Sequence, residues 1–269
     1  MFKNKHIVIT GGSSGLGLEL ARRLIKQGAK LTLVARNQKK LARAQTALRL
    51  INIDAEVYIK SIDVSDDIEV VQGVKDIAER FSGIDVLINN AGVLKEGTIE
   101  TLSIDDYRQV MEVNYFGVVN MTKAALPYLI KSRGRVVNIA SVAGLTTVYG
   151  YSSYASSKHA LVGFTETIRY ELKPQGVTVQ LVCPGEFESP MVDELNAYRT
   201  EENKAHTQTL PPTSVEKIAE STLNGMRSNR FMILPGLMTK SVVFGAQHLR
   251  SLMRFLGDRI IASVQHTHQ

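Results

Sequence analysis

Tyr154 and Lys158 stand four residues apart in Tyr154-Ala155-Ser156-Ser157-Lys158, at the start of a stretch with helical periodicity. An i, i+4 pair lies on one helical face, so the phenol and the ammonium point the same way. A nearby cation favours the phenolate and lowers a tyrosine pKa. A tyrosine tuned in this way is able to exchange a proton near neutral pH. A second chemical signal lies near the N-terminus, in Thr10-Gly11-Gly12-Ser13-Ser14-Gly15-Leu16-Gly17. The loop follows the apolar run His6-Ile7-Val8-Ile9 and opens a helix striped by Leu16, Leu20 and Leu24, with Ala21 and Ile25 beside them. Strand, glycine turn and helix together form a dinucleotide cradle, in which a pyrophosphate rests on the N–H groups of the helix N-terminus. Gly11 is expected to make the tight turn, and Gly15 and Gly17 to let the backbone approach the phosphates. Ser13, Ser14 and Leu16 belong to the same cradle.

The elements that must hold these groups are legible as a rhythm. Strand-like apolar runs fall near 6–10, 30–35, 56–60, 84–88, 134–140, 177–183 and 230–234. Helical stripes lie between them, such as Ile68, Val71, Val74, Ile77, Ala78 and Phe81, or Leu161, Phe164, Ile168 and Leu172. Alternating β and α elements predict an α/β fold, a doubly wound parallel sheet of Rossmann type with helices on both faces. Ligands then bind beyond the C-terminal strand ends, where the strand order reverses. Residues 10–17, 35–37, 63–64, 89–92, 141 and 184–189 all follow strands and are expected along that edge. One domain over 1–235 and a C-terminal amphipathic tail over 236–269 are expected.

These motifs make the chain similar to the short-chain dehydrogenase/reductase family over roughly residues 5–235. The family's TGxxxGxG is Thr10 to Gly17, its NNAG is Asn89-Asn90-Ala91-Gly92, and its helix asparagine is Asn114. Its serine is Ser141, thirteen positions before Tyr154 of the YxxxK, and its Pro-Gly is Pro184-Gly185. The resemblance implies that Tyr154 exchanges the proton with the substrate oxygen. It implies that Lys158 lowers the Tyr154 pKa and bonds the nicotinamide ribose, that Ser141 orients the reacting oxygen, and that Asn114 holds a water in a relay to the lysine. It also implies that Asp63 and Val64 meet the adenine and that Asn90, Ala91 and Gly92 pass the ribose. Pro184, Gly185, Phe187 and Ser189 are expected against the cofactor as well. Ser152 and Ser153 are expected to cap the helix that carries Tyr154. An Asp at 63 could equally cap the helix that follows it.

The cofactor expected is NADP(H). An NAD site wants an acidic residue at the end of the second strand to hold the ribose 2′-hydroxyl. No Asp or Glu occurs between positions 20 and 53, and Arg36 stands in that place with Lys39 and Lys40 nearby. A guanidinium pairs well with a 2′-phosphate.

Composition narrows the remaining classes. A hydrophobic content of 44% with 22% charged residues is that of a globular protein. The net charge of +6 is scattered, with no Trp and no basic run interleaved with aromatics, which argues against a nucleic-acid partner. No metal site is expected. The first strand-like run begins close to Met1 and Cys183 stands alone, so a cytoplasmic enzyme without a signal peptide is expected. Residues 186–213 are polar and irregular, ending in Pro211-Pro212, and by their position the family resemblance implies a substrate lid. Between 186 and 212, six acidic residues face two basic ones, a net charge of −4 that would repel an acidic carrier protein. In the tail, Lys240, Arg250, Arg254 and Arg259 outweigh Asp258 among apolar residues. It is read either as packed on the protein or as a peripheral membrane helix over 237–265. A homodimer or homotetramer is expected.

Within the family, the first fifty residues and Arg254-Phe255-Leu256-Gly257-Asp258 resemble the 3-ketosphinganine reductases. Those often carry Pro-Pro-Asp-Thr-Asp-Thr-Pro after the sixth strand, where this chain reads Pro184-Gly185-Glu186-Phe187-Glu188-Ser189-Pro190. A lipid-like ketone or alcohol is therefore the expected substrate, with hydroxysteroid and 3-oxoacyl thioester reductases as alternatives. A non-catalytic NADP(H) sensor is the alternative of another class.

Overall fold

All seven apolar runs become strands: β1 (His6–Thr10), β2 (Lys30–Ala35), β3 (Val57–Ser61), β4 (Val86–Asn89), β5 (Arg135–Ile139), β6 (Thr178–Val182) and β7 (Met232–Ile233). The structure, a computed structural model, describes residues 1–209 and 212–267. The strands form one sheet in the order β3-β2-β1-β4-β5-β6-β7, with every pairing parallel. The order reverses between β1 and β4, where a crevice opens at the C-terminal strand ends.

Eleven α-helices are described: α1 (Gly15–Ile25), α2 (Gln38–Ile51), α3 (Asp67–Phe81), α4 (Ile104–Met111), α5 (Gly117–Ser132), α6 (Ser152–Leu172), α7 (Pro190–Asn196), α8 (Glu201–Thr207), α9 (Val215–Arg227), α10 (Leu237–His248) and α11 (Arg250–Thr267). The pleat divides β1 between two cores. Ile7 and Ile9 join Leu20, Leu24, Leu41 and Leu223 beneath α1, α2 and α9, and Val8 joins Val74, Ile77, Met121 and Ile168 beneath α3, α5 and α6. Each such side chain contributes about 1.5–3 kcal/mol when fully buried.

Of the stripe expected on α3, Val74, Ile77 and Ala78 are buried, but the N-terminal part is turned away from the core. Ile68 and Val71 are exposed, and the buried face runs through Val70, Gly73, Val74 and Ile77. Gly73 brings the helix onto the side chain of Ile62, which a Cβ would meet at 2.4 Å, so the closest approach to the sheet fixes the rotation.

The lid is less irregular than expected. Ser189 accepts from the Val192 N–H with Pro190 at the first helical position, which starts α7. Thr200 accepts from Asn203, with Glu201 and Glu202 in the first turn, which starts α8. The part of the lid at 210–211 and the tail's last two residues lie outside the described residues. The tail forms α10 and α11, and α11 packs against α8 of the lid. Among the described residues no helix is long and apolar enough to cross a membrane.

Candidate active site

A cleft of about 300 Å³ lies at the reversal in strand order. It brings together Gly11, Ser14, Gly15, Leu16, Asn90, Ala91, Gly92, Ser141, Tyr154, Lys158, Pro184, Gly185, Phe187 and Ser189, drawn from five separate stretches of chain. Ser13, Gly17, Arg36, Asp63, Val64 and Asn114 do not line it.

At one end the glycine loop leaves β1. Gly11 adopts φ +64° and Gly15 φ +52°, conformations that favour glycine. A Cβ at Gly15 would meet only Pro190 and Ser189 atoms, at 3.8 and 3.9 Å, so its open side faces the cleft. Ser14 precedes α1 without capping it through its side chain, which leaves the helix N–H groups uncovered by that hydroxyl. A pyrophosphate fits such a cradle. Gly17 serves differently from the expectation. A Cβ there would lie 2.5 Å from the Gly11 carbonyl and 2.7 Å from the Asn90 amide, so this glycine permits packing inside the protein. Asn90 in turn holds the loop: its amide donates to the carbonyls of Thr10 and Gly11, and the Thr10 hydroxyl accepts from the N–H groups of Asn90 and Ala91.

At the other end, Ser141 lies two residues beyond β5 and accepts from the Ala143 N–H at 3.1 Å. Tyr154 and Lys158 sit on the first turns of α6. Lys158 is buried and its Nζ donates to the Ile139 carbonyl at 3.1 Å. Loss of water pushes the Tyr154 phenol up to about 12, while a hydrogen bond with Ser141 works the other way. Burial likewise brings Lys158 down to about 8. The expected lowering of the Tyr154 pKa by Lys158 is thus reversed. Lys158 Nζ lies 5.7 Å from the phenol ring centroid, and desolvation dominates the Tyr154 shift.

Asn114 stands one layer behind, in a π-helical turn over Glu112–Phe116 that joins α4 to α5. Its fully buried amide accepts from the Val93 N–H at 2.8 Å and donates to the Val93 carbonyl and the Ser157 hydroxyl, at 2.9 and 3.0 Å. Ser152 and Ser153 do not cap α6: the first pairs with the Tyr107 hydroxyl and the second donates to the Lys95 carbonyl. Arg36 lies at the end of β2, 60% exposed, with one guanidinium nitrogen 3.8 Å from Asp63. Burial acts to raise the Asp63 carboxyl, but Ser65 and Arg36 together hold it below the usual carboxylate range. Asp63 does not cap α3; that role falls to Asp66.

The pattern of the short chain dehydrogenase family matches residues 5–200. The chain belongs to this family. It is accordingly an oxidoreductase. It is 34% identical to a 3-ketodihydrosphingosine reductase of Bos taurus, over 93% of this chain and 78% of that one. Among curated relatives the matched share of the relative's own length falls to 66% in a Danio rerio 3-dehydrosphinganine reductase. Among solved structures, a short-chain dehydrogenase of Burkholderia phymatum in complex with NAD superposes with a TM-score of 0.81 at 30% identity, covering 90% of this chain and 92% of that one. An actinorhodin polyketide ketoreductase variant with NADPH superposes with a TM-score of 0.77 at 30% identity, covering 86% and 95%.

The cleft of this short-chain dehydrogenase also has walls that motif reading does not reach. Tyr151 and Glu186 sit beside known motifs, and their neighbours were the available signal. His206 of the lid, and Val242 and Met253 of the tail, also line it. Val242 and Met253 belong to the tail's apolar stripe, which fits a tail packed beside the lid, but no local pattern marks His206, and the packing of α11 on α8 completes this wall. Among the described residues no cluster of three or more His, Cys, Asp or Glu is placed to hold a metal ion.

Proposed function

We propose that the protein is an NADP(H)-dependent reductase of a long-chain, lipid-like ketone, with a 3-ketosphinganine-type substrate as the leading choice. The observation that carries the catalytic part is the convergence of Ser141, Tyr154 and Lys158 on the cleft whose far end is the glycine loop. In this reading Gly11, Ser13, Ser14, Gly15, Leu16 and Gly17 hold or shape the pyrophosphate site. Asn90, Ala91 and Gly92 lie along the ribose, Asp63 and Val64 lie toward the adenine, and Pro184, Gly185, Phe187 and Ser189 border the nicotinamide end. Arg36, exposed and only loosely paired, takes the 2′-phosphate.

A bound nicotinamide supplies the hydride. The protein's own groups handle the proton. Tyr154, held near 12, carries its proton at neutral pH and can donate it to a carbonyl oxygen. Ser141 hydrogen-bonds the same oxygen and orients it. Lys158 stabilises the phenolate left behind. Asn114 acts as a positioning residue, because its amide ties Val93 to Ser157, the residue before Lys158. The relatedness to sphingoid ketone reductases and the apolar tail residues in the cleft wall support a long substrate.

The tail supports peripheral contact with a membrane. Leu237, Phe244, Leu252 and Phe255 remain exposed, interspersed with the exposed Lys240, Arg250, Arg254 and Arg259. The test of the activity is NADPH oxidation with a long-chain 3-keto base, a short 3-ketoacyl thioester and a ketosteroid. Fastest turnover is expected for the first. Faster turnover of either other compound overturns the substrate, and no turnover of any carbonyl would favour a cofactor sensor.

A further inference from the structure

Among the residues that line the cleft, Glu186 is the one carboxylate. It follows Pro184-Gly185 at the mouth of the lid. Arg199 grips it from behind, with guanidinium nitrogens 3.1 and 3.0 Å from its two oxygens. Arg199 does not line the cleft, and its side chain is only 5% exposed, against 19% for Glu186. Asn196, Asn203 and Thr207 also accept from Arg199, so the guanidinium cannot swing forward without breaking a network. The ion pair is therefore oriented, with its cation in the protein and its anion toward the cavity. A bidentate guanidinium takes one hydrogen bond per carboxylate oxygen, and each oxygen can accept another.

Burial pushes the Tyr151 phenol up; Glu186 adds to the effect and Arg199 opposes it. Tyr151 stands beside Tyr154 with ring centroids 5.6 Å apart, which links the acidic wall to the proton donor. Apart from Lys158, already assigned, the basic side chain on the cleft is His206, which burial keeps in its neutral form.

We propose that Glu186 determines specificity by receiving a protonated amine carried on the carbon beside the substrate's ketone. The inference rests on the 3-ketosphinganine-type reading, whose substrate carries such an amine, and adds to it the residue that recognises that group. An ammonium there gains a charge-assisted hydrogen bond from Glu186, a neutral ketone gains nothing from it, and an anionic group is repelled.

The experiment measures kcat/KM with NADPH for three chains of equal length: the 2-amino-3-ketone, its N-acetylated form and the ketone without nitrogen. The free amine is expected to be preferred by about tenfold or more. Glu186→Gln should bring that ratio close to one, and Glu186→Asp should retain much of it. A lid merely loosened by the substitution lowers all three substrates together and leaves the ratio unchanged. A ratio near one in the unaltered enzyme overturns the inference alone, as does an unchanged ratio in Glu186→Gln. Reduction of thioesters or steroids with none of the three chains overturns both it and the substrate reading.

Discussion

Lys158 and Tyr154 share a helical face as their spacing predicts, yet burial rather than their mutual attraction governs both protons. A phenol held near 12 is a donor in waiting. Tyr154→Phe removes only the transferable proton, so carbonyl reduction should fall by roughly 10²–10⁴-fold. Cofactor affinity, read by fluorescence titration, should stay near that of the parent. Unaltered turnover in this variant would remove Tyr154 from the mechanism. Arg36 acts at the same scale. Arg36→Asp withdraws a charge-assisted contact of about 1.5–3 kcal/mol. It should weaken NADPH by one to two orders of magnitude and gain NADH activity, in a comparison of kcat/KM for the two cofactors. A parent that prefers NADH rules out the assignment.

Elements show why some of this was readable and some was not. The β1–α1 unit is local, so its strand, turn and helix are written in adjacent residues, and the alternation of runs then requires a parallel sheet. The roles of individual glycines were not local. Gly17 looks like a phosphate glycine by spacing but packs against Gly11 and Asn90, and Asn90 is far away in sequence. Two substitutions separate the roles. Gly17→Ala forces backbone apart and should lower stability by about 1–3 kcal/mol with loss of soluble protein. Gly15→Ala makes only ordinary contact with Pro190 and Ser189 but takes a strained φ, of order 1 kcal/mol, and should chiefly weaken the cofactor. Thermal melts with and without NADPH distinguish them.

His6 shows the same reach across elements. Its ring bonds Gly83 and Thr32 and stacks on Phe81, and burial lowers its pKa despite Asp85. The unfolded chain therefore binds the proton more readily. The stabilising contribution is complete above the unfolded value near 6.5 and declines as pH falls from there toward the lowered folded value. Urea midpoints should drop between pH 7.5 and 5.5, and His6→Gln should flatten that slope.

At the scale of the molecule the tail has two faces. Val242 and Met253 close the cleft, and Leu237, Phe244 and Phe255 look outward. Its amphipathic pattern was legible, but which protein surface it would cover was not, because that depends on a lid whose own helices hinge on single caps at Ser189 and Thr200. The full chain should pellet with anionic liposomes, in part reversibly with salt. A chain ending near Gly236 should lose that binding and also lose selectivity for long ketones. A change of mass in light scattering with no liposome effect would assign the outer face to a second copy instead.

The division of the cleft between body and tail has an evolutionary corollary. The proton-handling apparatus is encoded before Gly185, and part of the chamber that measures the substrate is encoded after Gly236. Lineages could thus exchange or redraft the final segment by recombination and acquire new substrates without disturbing the reaction. The C-terminal segment is accordingly the portion to transplant between relatives when a chimera with altered chain-length preference is sought.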